Sequence, residues 1–134
     1  MEKQVSVSLD ELSSEILNCA FKVHTYLGPG LFENVYEAAL EYELKKKGFV
    51  VQRQVTLPVI YEKIELQEGF RIDLLVENQI IIELKSVKEL DVIHQTQLIT
   101  YLKLANKPRG LLLNFNTNSL RDGIKKCYNK PSYF

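Results

Sequence analysis

The chain has 134 residues, of which 46% are hydrophobic, 25% charged and 10% aromatic, with only 6 glycines and 4 prolines. This composition excludes extended disorder and collagen-like repeats, and no apolar run approaches the roughly 18 residues needed to cross a bilayer. Lys+Arg and Asp+Glu balance at 17 each, a neutrality that argues against a generic, tightly binding DNA coat.

The length suits one domain spanning residues 1–134, with a core that needs no staples. Ser8-Leu9-Asp10-Glu11 is a capping box, and apolar residues recur at Leu12, Ile16, Cys19, Ala20, Val23 and Leu27, which predicts an amphipathic helix ended by Gly28-Pro29-Gly30. A second helix is expected from about Leu31 to Lys47, with Leu31, Val35, Ala38 and Tyr42 on its apolar stripe and Gly48 as C-cap. From Phe49 the period changes to that of a strand, with one long strand to Tyr61 bent at Pro58. Gly69–Val76 and Ile80–Val87 read as a hairpin about Glu77-Asn78-Gln79, followed by a helix from Asp91 to Ala105. Gly110–Phe115 reads as a buried strand, and a short helix around Leu120–Tyr128 closes the chain. The order ααβββαβα is that of an α/β domain with a central mixed sheet flanked by helices.

The start, Met1–Ser6, lacks the basic-then-apolar build of a signal peptide, and Cys19 and Cys127 fit no zinc spacing. A reduced cytoplasmic setting without membrane attachment is the simplest reading. Charge is unevenly placed: residues 1–83 carry 8 Lys+Arg against 14 Asp+Glu, and residues 84–134 carry 9 against 3. Either the two halves attract one another within the fold, or an acidic pocket stands beside a basic rim. No phosphate-cradling glycine loop is present, since Gly28-Pro29-Gly30 follows a helix and no Gly-Lys-Ser/Thr follows it.

The hairpin is the informative stretch. With a three-residue turn, Val76 pairs with Ile80 and Asp73 lies opposite Glu83, with Lys85 on the same face. The other face then holds Ile72, Leu74, Val76, Ile80, Ile82 and Leu84, all apolar, whereas a two-residue turn would mix the faces. Two carboxylates and an ammonium on one face suit Mg²⁺, which keeps several waters and accepts phosphate oxygens, and so suit phosphodiester hydrolysis. The bland counterpart is a surface salt bridge across a hairpin. Glu33 and Glu37 share a helical face with Tyr36 adjacent, and Gln97 and Tyr101 share another.

Gly30-Leu31-Phe32-Glu33-Asn34-Val35-Tyr36, followed by Asp73, Glu83-Leu84-Lys85, Gln97, Tyr101-Leu102 and Asn114-Phe115, resembles the GxxExxY proteins of the PD-(D/E)xK nuclease-like superfamily. The resemblance runs from about Ile16 to Lys126 and implies a restriction-endonuclease-like core with a Mg²⁺ site on the central hairpin, Mn²⁺ being able to substitute. It implies that Asp73 and Glu83 bind metal, that Glu33 adds a further acidic ligand, that Lys85 is the catalytic lysine and that Gln97 supports the site. Ile72 stands where the superfamily pattern has proline. The expectation is a Mg²⁺-dependent nuclease acting on DNA in preference to RNA, with Arg121, Lys125, Lys126, Lys103 and Lys107 available to phosphates. A homodimer would let two sites address two strands. The rival expectations are a non-catalytic nucleic-acid-binding or assembly module that keeps the fold, and a structural oligomer whose acids bind a cation for stability.

Overall fold

A computed structural model describes residues 7–130; the Met1–Ser6 stretch read above lies outside them. Helix α1 spans Leu9–Leu27, and its capping box is formed reciprocally, with Glu11 N donating to Ser8 Oγ and Ser8 N to Glu11 Oε1. Helix α2 spans Glu33–Lys46. Strands β1 (Val51–Tyr61), β2 (Ile64–Val76) and β3 (Ile80–Lys85) follow, then helix α3 (Val92–Ala105) and strand β4 (Arg109–Asn114). A 3-10 turn over Leu120–Gly123 leads into strand β5 (Ile124–Tyr128). No described helix is long and apolar enough to cross a membrane.

The strands form one mixed sheet in the order β1-β2-β3-β4-β5, with β3 and β4 parallel and the other neighbours antiparallel. The parallel pair is joined through α3, the crossover that parallel strands require. Helices α1 and α2 cover one face, where Leu12, Ile16, Tyr36, Leu40 and Leu44 pack on Leu74, Ile80, Ile82, Leu111 and Leu113. Helix α3 covers the other through Leu98 and Leu102 on Leu75, Ile81 and Leu112. Strands β3 and β4 are therefore buried on both sides, which explains their near-continuous apolar sequence.

Three expectations are corrected. The apolar stripe on α2 is Tyr36, Leu40 and Leu44, while Leu31, Val35, Ala38 and Tyr42 are exposed. Apolar residues surround this helix, so periodicity alone permits both stripes; the Tyr36 anchor selects between them. The last element is strand β5 rather than a helix. Leu120, Ile124 and Cys127 have helix-like spacing, yet Ile124 and Cys127 pack into opposite clusters, as strand positions three apart must. Gly123 permits the turn into β5, since a Cβ there would lie 2.3 Å from Asn114 O. Finally, β2 begins at Ile64 rather than Gly69, because the distal β1–β2 ribbon is largely exposed and lacks the alternation that marks a half-buried strand.

Tyr36 fixes how α2 meets the sheet. Its side chain is fully buried, and its ring stacks on Phe115 with centroids 4.6 Å apart. Its hydroxyl donates to Gly28 O at 2.5 Å and accepts from Leu31 N at 3.1 Å, clamping the loop in which Gly28 and Gly30 take φ +73° and +99°. Tyr36→Phe should leave both loop groups unpartnered and lower unfolding free energy by about 1–3 kcal/mol, measurable by urea denaturation.

Candidate active site at the fork of the sheet

The β2–β3 ladder runs Val76↔Ile80, Leu75↔Ile81 and Leu74↔Ile82, the register expected from a three-residue turn. Glu77 and Asn78 make that turn at φ +51° and +55°. Beyond Leu74 the ladder opens. Asp73 N donates to Glu83 Oε2 at 2.9 Å, and Leu84 N donates to Asp73 Oδ2 at 3.0 Å. Each carboxylate thus takes an N–H from the facing strand. Glu83 is only 6% exposed and Asp73 is half-buried.

The strands also turn over at this point. Val51 packs toward α1 and α2, but Val55 and Leu57 pack toward α3; likewise Leu74 and Val76 face α1 and α2 while Ile72 faces α3. The expectation that Ile72 shares a face with Leu74 is therefore corrected. The β1–β2 register passes from Arg53↔Leu74 to Val55↔Ile72, and the skipped residues are Gln54 and Asp73. Gln54 sits at φ +55°, a conformation that costs a non-glycine residue roughly 1–2 kcal/mol.

Burial pushes the Glu83 carboxyl up to about 8, and the neighbouring Asp73 charge acts in the same direction. Burial also raises the Asp73 carboxyl, opposed by the Leu84 hydrogen bond and reinforced by the charges of Glu37 and Glu33. Lys85, at the end of β3, favours the ionised form of both. Burial raises the Tyr101 phenol, and the Glu83 and Asp73 charges add to it, so α3 presents Tyr101 toward the same cluster. Tyr101 also stacks on Phe70 at 4.7 Å.

Glu33, in the first turn of α2, is brought to the rim: its Oε2 accepts from Ser86 N at 3.3 Å, and Ser86 Oγ donates to Leu31 O at 2.6 Å. Gln97 is exposed one turn before Tyr101, and no side-chain hydrogen bond ties it to the carboxylates. Glu37, Gln54 and Asn114 stand around the fork as well. Glu37 is 4% exposed and accepts from Arg53 and Gln54; its position four residues after Glu33 was the available signal. Asn114 donates to Val87 O at 2.9 Å and accepts from Val87 N at 3.1 Å, holding the segment that follows Lys85. Nothing local in the sequence marks Gln54.

Among the described residues, no three His, Cys, Asp or Glu side chains close into a ready-made metal cage. The donor set nevertheless fits Mg²⁺, which is commonly held by one or two carboxylates, with waters and substrate phosphates completing the shell. Two desolvated, mutually repelling carboxylates are what a dication would stabilise in their charged form.

A mixed sheet with helices on both faces and paired acids where two strands part defines a restriction-endonuclease-like nuclease core. The family model described as the PD-(D/E)XK nuclease superfamily matches residues 10–127, and the chain belongs to that superfamily. The crystal structure of SSO0001 is similar in fold, with a TM-score of 0.54 at 23% identity over 75% of this chain and 52% of that one. This chain thus spans about half the length of that solved relative. No curated protein matches it.

The shifted carboxyl has a consequence for stability. The folded state holds a proton on Glu83 that the unfolded chain has released, so this group's stabilisation is complete below about 4.5 and is lost as pH rises through about 8. Glu83→Gln should therefore raise the melting temperature of metal-free protein at pH 8.5 more than at pH 5, by the equivalent of a few kcal/mol. Differential scanning calorimetry at the two pH values with EDTA present measures it; equal shifts would refute the buried proton.

Proposed function

We propose that the chain is a single nuclease domain, residues 1–134, that hydrolyses phosphodiester bonds in DNA with Mg²⁺, or Mn²⁺ in its place. The observation that carries this reading is the crossed, desolvated Asp73–Glu83 pair with Lys85 beside it at the opening of the sheet. Asp73 and Glu83 would hold the cation, with Glu33 adding a carboxylate from the rim, directly or through water. A bound dication supplies Lewis acidity, stabilising charge on the phosphodiester and acidifying a bound water. Lys85 orients the attacking water or neutralises charge on the phosphorane, and Asn114 fixes the chain just beyond it. Gln97 and Tyr101 would meet the substrate from α3.

The placement of cations supports a polyanionic substrate. Among the described residues, Lys22, Lys45, Lys46, Lys47 and Arg53 pair with carboxylates of their own half of the chain. Among the described residues after 84 only Arg109 does so, with Asp10, and among them it is the one ion pair joining the two halves. The charge asymmetry is therefore not consumed by mutual attraction. Lys103, Lys126 and Lys130 line a groove between α3 and β5 together with Tyr128, and Lys88 and Lys125 line a hollow near Asn114. These lysines come from α3, β5 and the loops beside them, and Glu89 and Asp122 share the second hollow. Among the described residues none of these lysines forms an ion pair, and such cations suit a run of phosphates.

Cleavage of labelled single- and double-stranded DNA, and of RNA, with Mg²⁺ or Mn²⁺ against EDTA tests the proposal. Wild type should cut only with metal, and Lys85→Ala, purified identically, should cut at least about 100-fold more slowly. Equal cutting by both proteins would discard it. Duplex binding without cleavage, in Ca²⁺, should weaken with KCl, and Lys103→Ala/Lys126→Ala should reduce the slope of log K against log salt by about 2, read by fluorescence anisotropy.

A further inference from the structure

We propose that Gln54 is a positioning residue of this site: backed by Glu37, its side-chain amide sets the Asp73 carboxylate in the orientation that a divalent cation requires. The inference rests on the reading of Asp73 as a metal ligand and goes beyond it by assigning a second layer to the site.

Backbone conformation, strand pairing and side-chain distances converge on it. Gln54 takes a left-handed conformation in the middle of a strand, where Gln54 and Asp73 are both missing from the β1–β2 ladder although the register on either side of them is the same. That conformation reverses the faces of the strand and leaves the glutamine side chain beside the fork rather than under α3. The amide Nε2 then lies 2.9 Å from both Glu37 oxygens and 3.4 Å from Asp73 Oδ1. Ionised carboxylates only accept, so the nitrogen end must face them and the amide cannot turn over without losing its bonds.

Glu37 is the foundation of this arrangement rather than a ligand. It is almost wholly buried, Arg53 Nε sits 2.5 Å from its Oε2, and both its oxygens are engaged. The Arg53 guanidinium supplies the charge balance for Glu37, which leaves the amide to organise Asp73. The other Asp73 oxygen is held by Leu84 N. The Asp73 carboxylate is thus approached by Gln54 of β1 at 3.4 Å on one oxygen and held by Leu84 N of β3 at 3.0 Å on the other, which biases its rotation before any ligand arrives.

Gln54→Met keeps the length and removes the amide, while Gln54→Gly removes the amide and also relieves the backbone. Loss of the free Mn²⁺ electron paramagnetic resonance signal measures binding, with thermal melting as the check on folding. Gln54→Met should melt below wild type, since Glu37 Oε1 loses its Gln54 partner, and Gln54→Gly should melt above Gln54→Met because it relieves the backbone. Both should still unfold cooperatively, and each should bind Mn²⁺ about 10- to 100-fold more weakly. In an Asp73→Ala background neither substitution should weaken the residual binding further. Gln54→Gly binding Mn²⁺ as tightly as wild type, or a loss that adds in full to that of Asp73→Ala, would overturn the proposal. A wild type that binds Mn²⁺ but cleaves nothing would sink the nuclease reading alone, since the titration still decides Gln54. A wild type that takes up no Mn²⁺ would overturn both.

Discussion

The crossed hydrogen bonds from Asp73 N to Glu83 and from Leu84 N to Asp73 are the constraint around which this sheet is built. Where a regular antiparallel pair would exchange backbone bonds, each strand here presents a carboxylate to the other's N–H. The strands can part at that point without leaving those amides unpartnered, which a buried sheet could not otherwise tolerate. The same geometry draws Glu83 out of water and places it beside a second acid, so its charge is disfavoured until a proton or a cation arrives. Local stability is given up at the candidate site.

The surrounding elements hold the fork open from several directions. Tyr36 pins the loop ahead of α2, so Glu33 meets Ser86 just past the end of β3. Asn114 bonds both backbone groups of Val87 like a missing strand residue, and Phe115 N donates to Lys85 O at 2.9 Å. His24 Nε2 lies 2.8 Å from Thr117 O, tying α1 to the loop after β4. These are bonds to backbone, and they act on where strands end rather than on the reacting groups. The GxxExxY spacing acquires a physical meaning in this frame. Gly30 allows the turn, Glu33 opens the helix at the rim, and Tyr36, three residues on, closes the loop that places them.

Much of this was legible in the chain because local rules suffice for it. The capping box at Ser8 and Glu11 needs only four residues, and the three-residue turn at Glu77–Gln79 sets the hairpin register by the two-fold alternation of apolar side chains. The segregation of acids and bases was visible as a count, and the order of helices and strands was read through to β4. The errors share one cause, which is that periodicity reports how residues are spaced and not what they touch. On α2 two stripes satisfied the helical period; after Leu120 the spacing of Ile124 and Cys127 satisfied both a helix and a strand.

What the sequence alone determined, then, is the alphabet of the site: two acids and a lysine on one hairpin, a glutamate opening a helix, and cations gathered in the second half. Only the tertiary structure decided that the hairpin splits at the acids, that Ile72 turns to the opposite face, and that Glu37 and Gln54 stand behind Asp73. Those outcomes depend on contacts between α2, β1 and β2, separated by 16 to 36 residues in the chain between Glu37, Arg53 and Asp73. They also depend on a left-handed glutamine whose cost is met by neighbours that no local pattern names. Packing and desolvation are properties of the assembled sheet, and so is the raised carboxyl of Glu83.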